Sequence, residues 1–431
     1  MTAEIAIMNK SAIALAADSA VTVSSANSSQ HVYHGVNKLF ALSHSHPVAI
    51  MIYDSAEFME IPWETVIKSY RVHIGPKKFD QLEQYLSDFV SYLEKDKTLL
   101  SKDRCDRHVA SKVFAIYNHL REEIDEQVKK TIAEKKSISN AKISQIKAKV
   151  MRDFLSSLRA KEDLRKTPSG YKKKFLLQYQ QLVDSVIDNV FKNHQISSSL
   201  KGLLTEIALQ MFIKNEFPFP KSGVVFAGYG PKDIFPKLIS LQVECAVNGM
   251  LKYVVEKKQE ITLDNHASIT AFAQSDMVQS FMEGIHPYHR KYIEKNLARL
   301  LKHLLPEYIS KEICEAKDKQ SDEIVDKLQK VGEGVLREFD KELQKDRTNN
   351  FVLPITNSVS HLPKDELAAM AESLVNLTSF RQKISLGTSG TVGGEIDVAV
   401  ISKGDGFVWI KRKHYFESEL NPHFMANYIK D

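Results

Sequence analysis

Between residues 79 and 212 the chain holds only two of its 17 glycines, Gly170 and Gly202, and its apolar residues recur every three or four positions. The runs DQLEQYLSDFVSYLEK and RHVASKVFAIYNHLREEIDEQVKK show this spacing. It is the period of an amphipathic helix, and without turn residues such a stretch must fold as a few long helices. Whatever sheet the protein builds therefore draws its strands from segments far apart in sequence.

Those segments lie on either side. Residues 2–8 and 12–18 are short apolar runs joined by the turn Asn9-Lys10-Ser11, and 36–42 and 47–53 form a second pair. Pro62, at the head of PWETVIKSYR, is suited to the first position of a helix because its missing N–H would have no partner there. Further strand patterns occupy SGVVFAGYG (222–230), KLISLQVECAV, LKYVVEKKQ and ASITAFAQS (267–275), and a Lys- and Glu-rich helical stretch follows over 288–345. The chain closes with the helix KDELAAMAESLVNLTSF and the strands GGEIDVAVISK and GFVWIKRK, joined at Gly404-Asp405-Gly406. Strands in runs and helices in runs indicate an α+β layered fold. The expected division is a core in three parts (1–75, 219–286 and 351–431) with helical insertions at 76–218 and 287–350.

Charge and cysteine content narrow the classes. A formal net charge of +5 over 431 residues does not mark a dedicated nucleic-acid binder. Residues 129–174 carry 15 Lys or Arg against 4 Asp or Glu, an excess of +11 that leaves −6 on the remainder. This block reads as a solvated helical face, with an electrostatic surface as the lesser alternative. Three well-separated cysteines, Cys105, Cys245 and Cys314, argue against a disulfide framework and for a reducing compartment. No run approaches the roughly 18 apolar residues of a membrane span. The start lacks a basic n-region, and Glu4, Lys10 and Asp18 interrupt any apolar core of a leader. A cytoplasmic location is expected.

Asp18 is out of place by hydropathy, since it ends the otherwise buried-looking run 12–17. A chemistry that needs it starts from Thr2. A hydroxyl is a weak nucleophile until a base takes its proton, and an N-terminal threonine can use its own α-amine, which titrates at about pH 8. Met1 precedes the small residues Thr2 and Ala3, the setting in which methionine is removed. The chemistry also needs a nearby cation and a carboxylate to anchor it; Lys38, in GVNKLF, and Asp18 are of those types.

The stretch from Thr2 through IALAADS resembles the start of a mature proteasome β subunit, and more broadly the N-terminal-nucleophile hydrolases of the threonine-peptidase type. The resemblance extends to ASITAFAQSDMVQSFMEGI, a strand entering a helix at a serine, and to TVGGEIDVAVISKGDGFVWI, a final hairpin. It covers the strand-bearing blocks and leaves the helical stretches unmatched. It implies a four-layer αββα sandwich and an amide-bond hydrolase with Thr2 as nucleophile, Lys38 as electrostatic activator, Asp18 as its anchor and Ser275 near the amine. It further implies a peptide or protein substrate, a homo-oligomer, and an ATP-dependent unfoldase or other protein partner, with no cofactor.

Two positions depart from the family pattern. Where the family has a glycine whose amide serves the oxyanion hole, this chain has Asp54, and a carboxylate there opposes the charge to be stabilised; the backbone amides of Asp54 and Ser55 would have to serve. The family's second Asp and Ser fall on Ser389 and Val392, so Ser389 or Thr391 is the auxiliary candidate. These departures support a second expectation, an impaired site on the same fold whose helical insertions bind a protein or nucleic acid. A third is an amidohydrolase acting on a small substrate.

Each residue also has a plainer explanation. Thr2 can be a polar strand start, Asp18 with Lys38 an ordering ion pair, and Ser275 a helix N-cap. The pairs His31 and His34, His44 and His46, and His286 and His289 lack matching Cys or acidic partners, so no metal is expected. FAGYG lacks the Lys and Ser/Thr of a phosphate loop and reads as a strand end.

Overall fold

A computed structural model describes residues 3–24, 30–33, 35–43, 46–164, 167–313, 319–384, 393–414, 416–423 and 426. In chain order, β1 (Ala3–Asn9) and β2 (Ala12–Ala17) form one hairpin and β3 (Val21–Ser24) and β4 (Gln30–Tyr33) another. Next come β5 (Leu39–Ser43), β6 (His46–Asp54), the two-residue strands β7 (Glu57–Phe58) and β8 (Ile61–Pro62), then α1 (Trp63–Ile74) and α2 (Leu82–Lys95). The glycine-poor stretch continues as α3 (Lys102–Lys135), α4 (Asn140–Arg159), α5 (Tyr171–Val190) and α6 (Ser198–Ile213). Strands β9 (Ser222–Gly228), β10 (Lys237–Val247), β11 (Met250–Glu260) and β12 (Ala267–Ala273) follow. Helices α7 (Asp276–Glu283), α8 (Pro287–Arg299), α9 (Leu305–Ile313), α10 (Lys319–Arg347), α11 (Leu353–His361) and α12 (Lys364–Ile384) precede the last strands, β13 (Asp397–Ser402) and β14 (Gly406–Lys411).

The chain divides into two compact units, Met1–Leu39 with Glu260–Asp431, and Phe40–Gln259. The boundaries differ from the core-and-insertion division expected from sequence because β5 pairs with β6 and not with the earlier strands. Each unit is mixed α and β around an antiparallel sheet.

In the first unit the sheet order is β12-β1-β2-β13-β14. Both faces of β1 and β2 are buried, which explains their unbroken apolar runs. One face packs on α11 and α12, where Ala12, Ala14 and Ala16 join Ala368, Ala371 and Leu374 in a single cluster. Small side chains on both elements let helix and sheet approach closely. The β3–β4 hairpin lies where no strand was expected from sequence, since Gln30–Tyr33 can satisfy its backbone against Val21–Ser24 despite its polar side chains.

In the second unit the order is β11-β10-β9-β6-β5. Its core is rich in aromatics, with Phe89 against Tyr70 (ring centroids 4.8 Å apart) and Phe226 (5.2 Å). FAGYG ends β9 as expected. A side chain at Gly228 would meet the Pro47 carbonyl at 2.0 Å, and its φ of 146° is one few other residues adopt. Helices α3 to α6 pack against one another, and α4 and α6 start at Ser139 and Ser197, whose side chains accept from Lys142 N and Leu200 N. Several cations of the basic block are paired: Lys172 and Arg159 reach Glu206 at 2.8 and 3.5 Å. Pro62 stands at the N-cap of α1, one residue earlier than expected. Among the described residues no helix is long and apolar enough to cross a membrane.

Candidate active site

The β1–β2 register is fixed from its turn. Asn9 Oδ1 accepts from the Ser11 and Ala12 amides at 2.9 and 3.2 Å, and its Nδ2 donates to the Val359 and Leu362 carbonyls at 3.0 and 2.9 Å. The turn is thereby closed locally and fastened to α11. Counting from it, Glu4 pairs with Ala17 and Asp18 comes opposite Ala3. A slip of one residue would turn Asp18 to the other face.

Asp18 is fully buried, and among the described residues its carboxylate has three donors. Lys38 Nζ lies 2.5 Å from Oδ1, the Ala3 amide donates to Oδ1 at 3.2 Å, and the Gly393 amide donates to Oδ2 at 3.0 Å. Gly393 and Gly394 have φ of 148° and 82°, so glycine is what brings that amide in. Lys38 is 4 % exposed, and its ammonium also pairs with Glu4 Oε1 at 3.3 Å. Glu4 is fully buried, and sequence reasoning passed over it. The signal was there: a lone carboxylate inside the apolar strand AEIAIMN. Among the described residues, the Lys38 ammonium is thus flanked by two carboxylates.

Asp397, on β13 opposite Ala17, was also missed. Its Oδ1 accepts from the Lys413 amide at 2.8 Å, its Oδ2 pairs with the Lys413 ammonium, and both side chains are almost wholly buried. Ser19, after Asp18, is 1 % exposed, and its hydroxyl has no hydrogen-bond partner among the described residues.

Ser275 occupies the N-cap position of α7 but makes no side-chain cap; Gln279 Nε2 donates to its Oγ at 3.4 Å. It lies two residues past Ala273, which pairs with Ala3. Ala273 has φ 55°, a strained value for a residue with a Cβ, where the strand turns into the helix. Thr2, Ser389, Thr391 and Val392 lie outside the described residues.

Asp54 and Ser55 belong to the second unit. Asp54 is exposed at the end of β6 with φ 65°; desolvation by the surrounding chain raises its carboxyl above the usual range, against the opposing pull of Lys221. The Ser55 amide donates to the Lys221 carbonyl at 3.3 Å.

The second unit also gathers His108, Glu244 and Cys245, whose ligand atoms lie within 4.8 Å of one another. Glu244 and Cys245 are neighbours on one strand, and the Lys252 ammonium sits 2.9 Å from Glu244 Oε2. Burial pushes the Cys245 thiol up and the His108 imidazole down to about 4. Glu244 is already engaged by the Lys252 ammonium. Of the paired histidines, His286 caps α8 and His46 bonds the Lys77 carbonyl.

What the first unit assembles is a buried ammonium clamped by carboxylates at the start of β1, one residue after Thr2 in sequence. Such a cation can lower the pKa of a neighbouring hydroxyl or amine and favour an alkoxide.

No protein-family model matches the chain, and a search of curated proteins found no match. Among solved structures, one described as the Anbu (Gly-1) mutant from Hyphomicrobium sp. strain MC1 is 7% identical, with 100% of this chain and 95% of that chain covered at a TM-score of 0.27. A likeness that slight carries no argument about this protein.

Proposed function

We propose that this chain is an amide-bond hydrolase of the N-terminal-nucleophile type, with a four-layer αββα fold and Thr2, freed of Met1, as nucleophile. The observation that carries the reading is the burial of Lys38 against Asp18 at the head of β1. A lysine and an aspartate taken out of water together, at Ala3 on the first strand, are costly to keep for packing alone. In this mechanism the α-amine of Thr2 accepts the hydroxyl proton, Lys38 stabilises the developing alkoxide, and Asp18 holds Lys38 in place. Ser275 supports the amine from the end of β12, and Ser389 or Thr391 assists it. The substrate is a peptide or protein segment, and the working form is a homo-oligomer in the cytoplasm, served by an unfoldase or another protein.

Intact-mass measurement and peptide hydrolysis test this together. A native mass lacking Met1, with hydrolysis abolished in Thr2→Ala, is expected; a retained Met1, or unchanged hydrolysis in that variant, overturns it.

One observation favours a second reading, in which the helical insertions dock a partner. Over 287–353 large apolar side chains stand in solvent: Tyr288 is 65 % exposed, Tyr308 66 %, and Val331 and Val335, one turn apart on α10, 62 % and 50 %. Apolar surface of this kind marks interaction sites. Charging Val331 and Val335 to lysine should then abolish partner capture or self-association while leaving peptide hydrolysis intact.

A further inference from the structure

The insertion over 287–347 is a helical hairpin. Residues 287–313 stay helical from α8 to α9 through a π turn at Leu300–Leu304, and α10 returns along them. The helices meet closely midway: a Cβ on Gly332 would lie 2.5 Å from the Leu301 carbonyl oxygen, and beside it Lys302 Nζ is 3.1 Å from Glu333 Oε1. At the base both helices are fastened to α7, where Glu283 Oε2 accepts from Arg290 at 2.6 Å and Arg347 at 3.3 Å.

Charge is sorted along the length of this hairpin. Residues 287–304 carry five Lys or Arg against one Glu, whereas 305–326, which run to the turn and back, carry three Lys against seven Asp or Glu. Lys291, Lys295 and Arg299 near the base and Glu307, Glu312 and Glu323 toward the turn are exposed and make no ion pair among the described residues. Apolar side chains stand out with them. Tyr292 lies three residues before Lys295 and Tyr308 four before Glu312, so each exposed ring shares a helix face with its charged neighbour.

We propose that two copies of this chain pair through this hairpin about a two-fold axis, antiparallel, with the basic base of each on the acidic end of the other. Over 287–347 the signs nearly cancel, 14 Lys or Arg against 13 Asp or Glu. A partner of one sign would satisfy one end and repel the other, whereas a reversed copy satisfies both, twice by symmetry. Residues 287–313 span about 40 Å, and a two-helix face about 20 Å wide offers about 800 Å² per partner, the size a stable interface buries. Tyr292, Tyr308, Val331 and Val335 give it apolar contacts. This deepens the docking reading above by naming the partner, and it does not depend on whether the chain is a hydrolase.

Sedimentation of the full-length protein over a concentration series should show a monomer–dimer equilibrium that weakens with added salt. Changing Lys291, Lys295 and Arg299 to Glu makes both ends acidic, and changing Glu307, Glu312 and Glu323 to Lys makes both ends basic. Each variant alone should lose about tenfold or more in self-association. Mixed one to one they are complementary at both ends and should dimerise again, which only folded chains can do. Should either triple variant fail to fold, Lys295→Glu and Glu312→Lys carry the same test. A wild type that stays monomeric overturns the proposal, as do reversals without effect or a mixture that fails to associate. A different protein held instead, and lost on charging Val331 and Val335 to lysine, overturns the second-copy claim and leaves the docking reading standing.

Discussion

Ala3 and Asp18 hold each other twice: the Asp18 amide donates to the Ala3 carbonyl at 3.2 Å, and the Ala3 amide donates to the Asp18 carboxylate at the same distance. One residue thus closes the hairpin and presents the charge that meets Lys38. Asp18→Asn keeps the shape and removes the charge, leaving Lys38 with Glu4 alone. Unfolding in denaturant should show a loss of about 3 kcal/mol, near the low end for a broken buried pair. An unchanged midpoint would mean that the ion pair contributes nothing net.

Asn9 sets the register that delivers Asp18. Asn9→Ala strips the turn of its acceptor and leaves the Val359 and Leu362 carbonyls without that donor. Thermal unfolding should report a loss of about 2 kcal/mol. Amide exchange should quicken along β1 and β2; protection equal to wild type would show that packing alone fixes the register.

His108 predicts a pH dependence. Burial holds its folded-state pKa down at about 4, against an ordinary value of 6.5. Between those values the unfolded chain binds a proton that the folded chain refuses, so its contribution is complete above pH 6.5 and falls away toward pH 4. The loss across that window is up to about 3 kcal/mol. His108→Gln should flatten that part of the stability–pH curve; a curve parallel to wild type would contradict it.

Lys252 and Glu244 form a buried pair, with side chains 1 % and 2 % exposed. Lys252→Met strands the carboxylate and should cost about 3–5 kcal/mol. Adding Glu244→Leu removes the stranded charge, so the double variant should be more stable than the single one. Additive losses on urea unfolding would show the two residues to be independent.

Much of the fold was legible because burial and alternation write themselves into sequence. The run KLISLQVECAV is β10 residue for residue, and the glycine-poor stretch folds as α2 to α6. The β3–β4 hairpin was not legible, since Gln30–Tyr33 carries no apolar alternation and its pairing comes from backbone bonds. At the site, Asp18 stood out as a carboxylate ending an apolar run, while Lys38 was singled out only because the chemistry of an N-terminal threonine calls for a cation. Glu4 and Asp397 were hidden for the opposite reason: each sits within a strand, where one carboxylate reads as a solvent-facing position, and only the fold shows both faces covered. Gly393 was read as a hairpin marker, because a backbone donor leaves no side-chain signature.

The strand order β12-β1-β2-β13-β14 places β1 and β2 between strands that lie far later in the sequence. As the chain is synthesised, β1 and β2 emerge with both outer edges bare, and the strands that cover them arrive some 250 residues and more later. Pairings that distant form slowly, and apolar edges left waiting are prone to wrong partners. Asp18 cannot receive its Gly393 amide until the chain 375 positions further on has been made. The carboxylate-and-lysine cluster therefore stays incomplete in any chain that stops before Gly393.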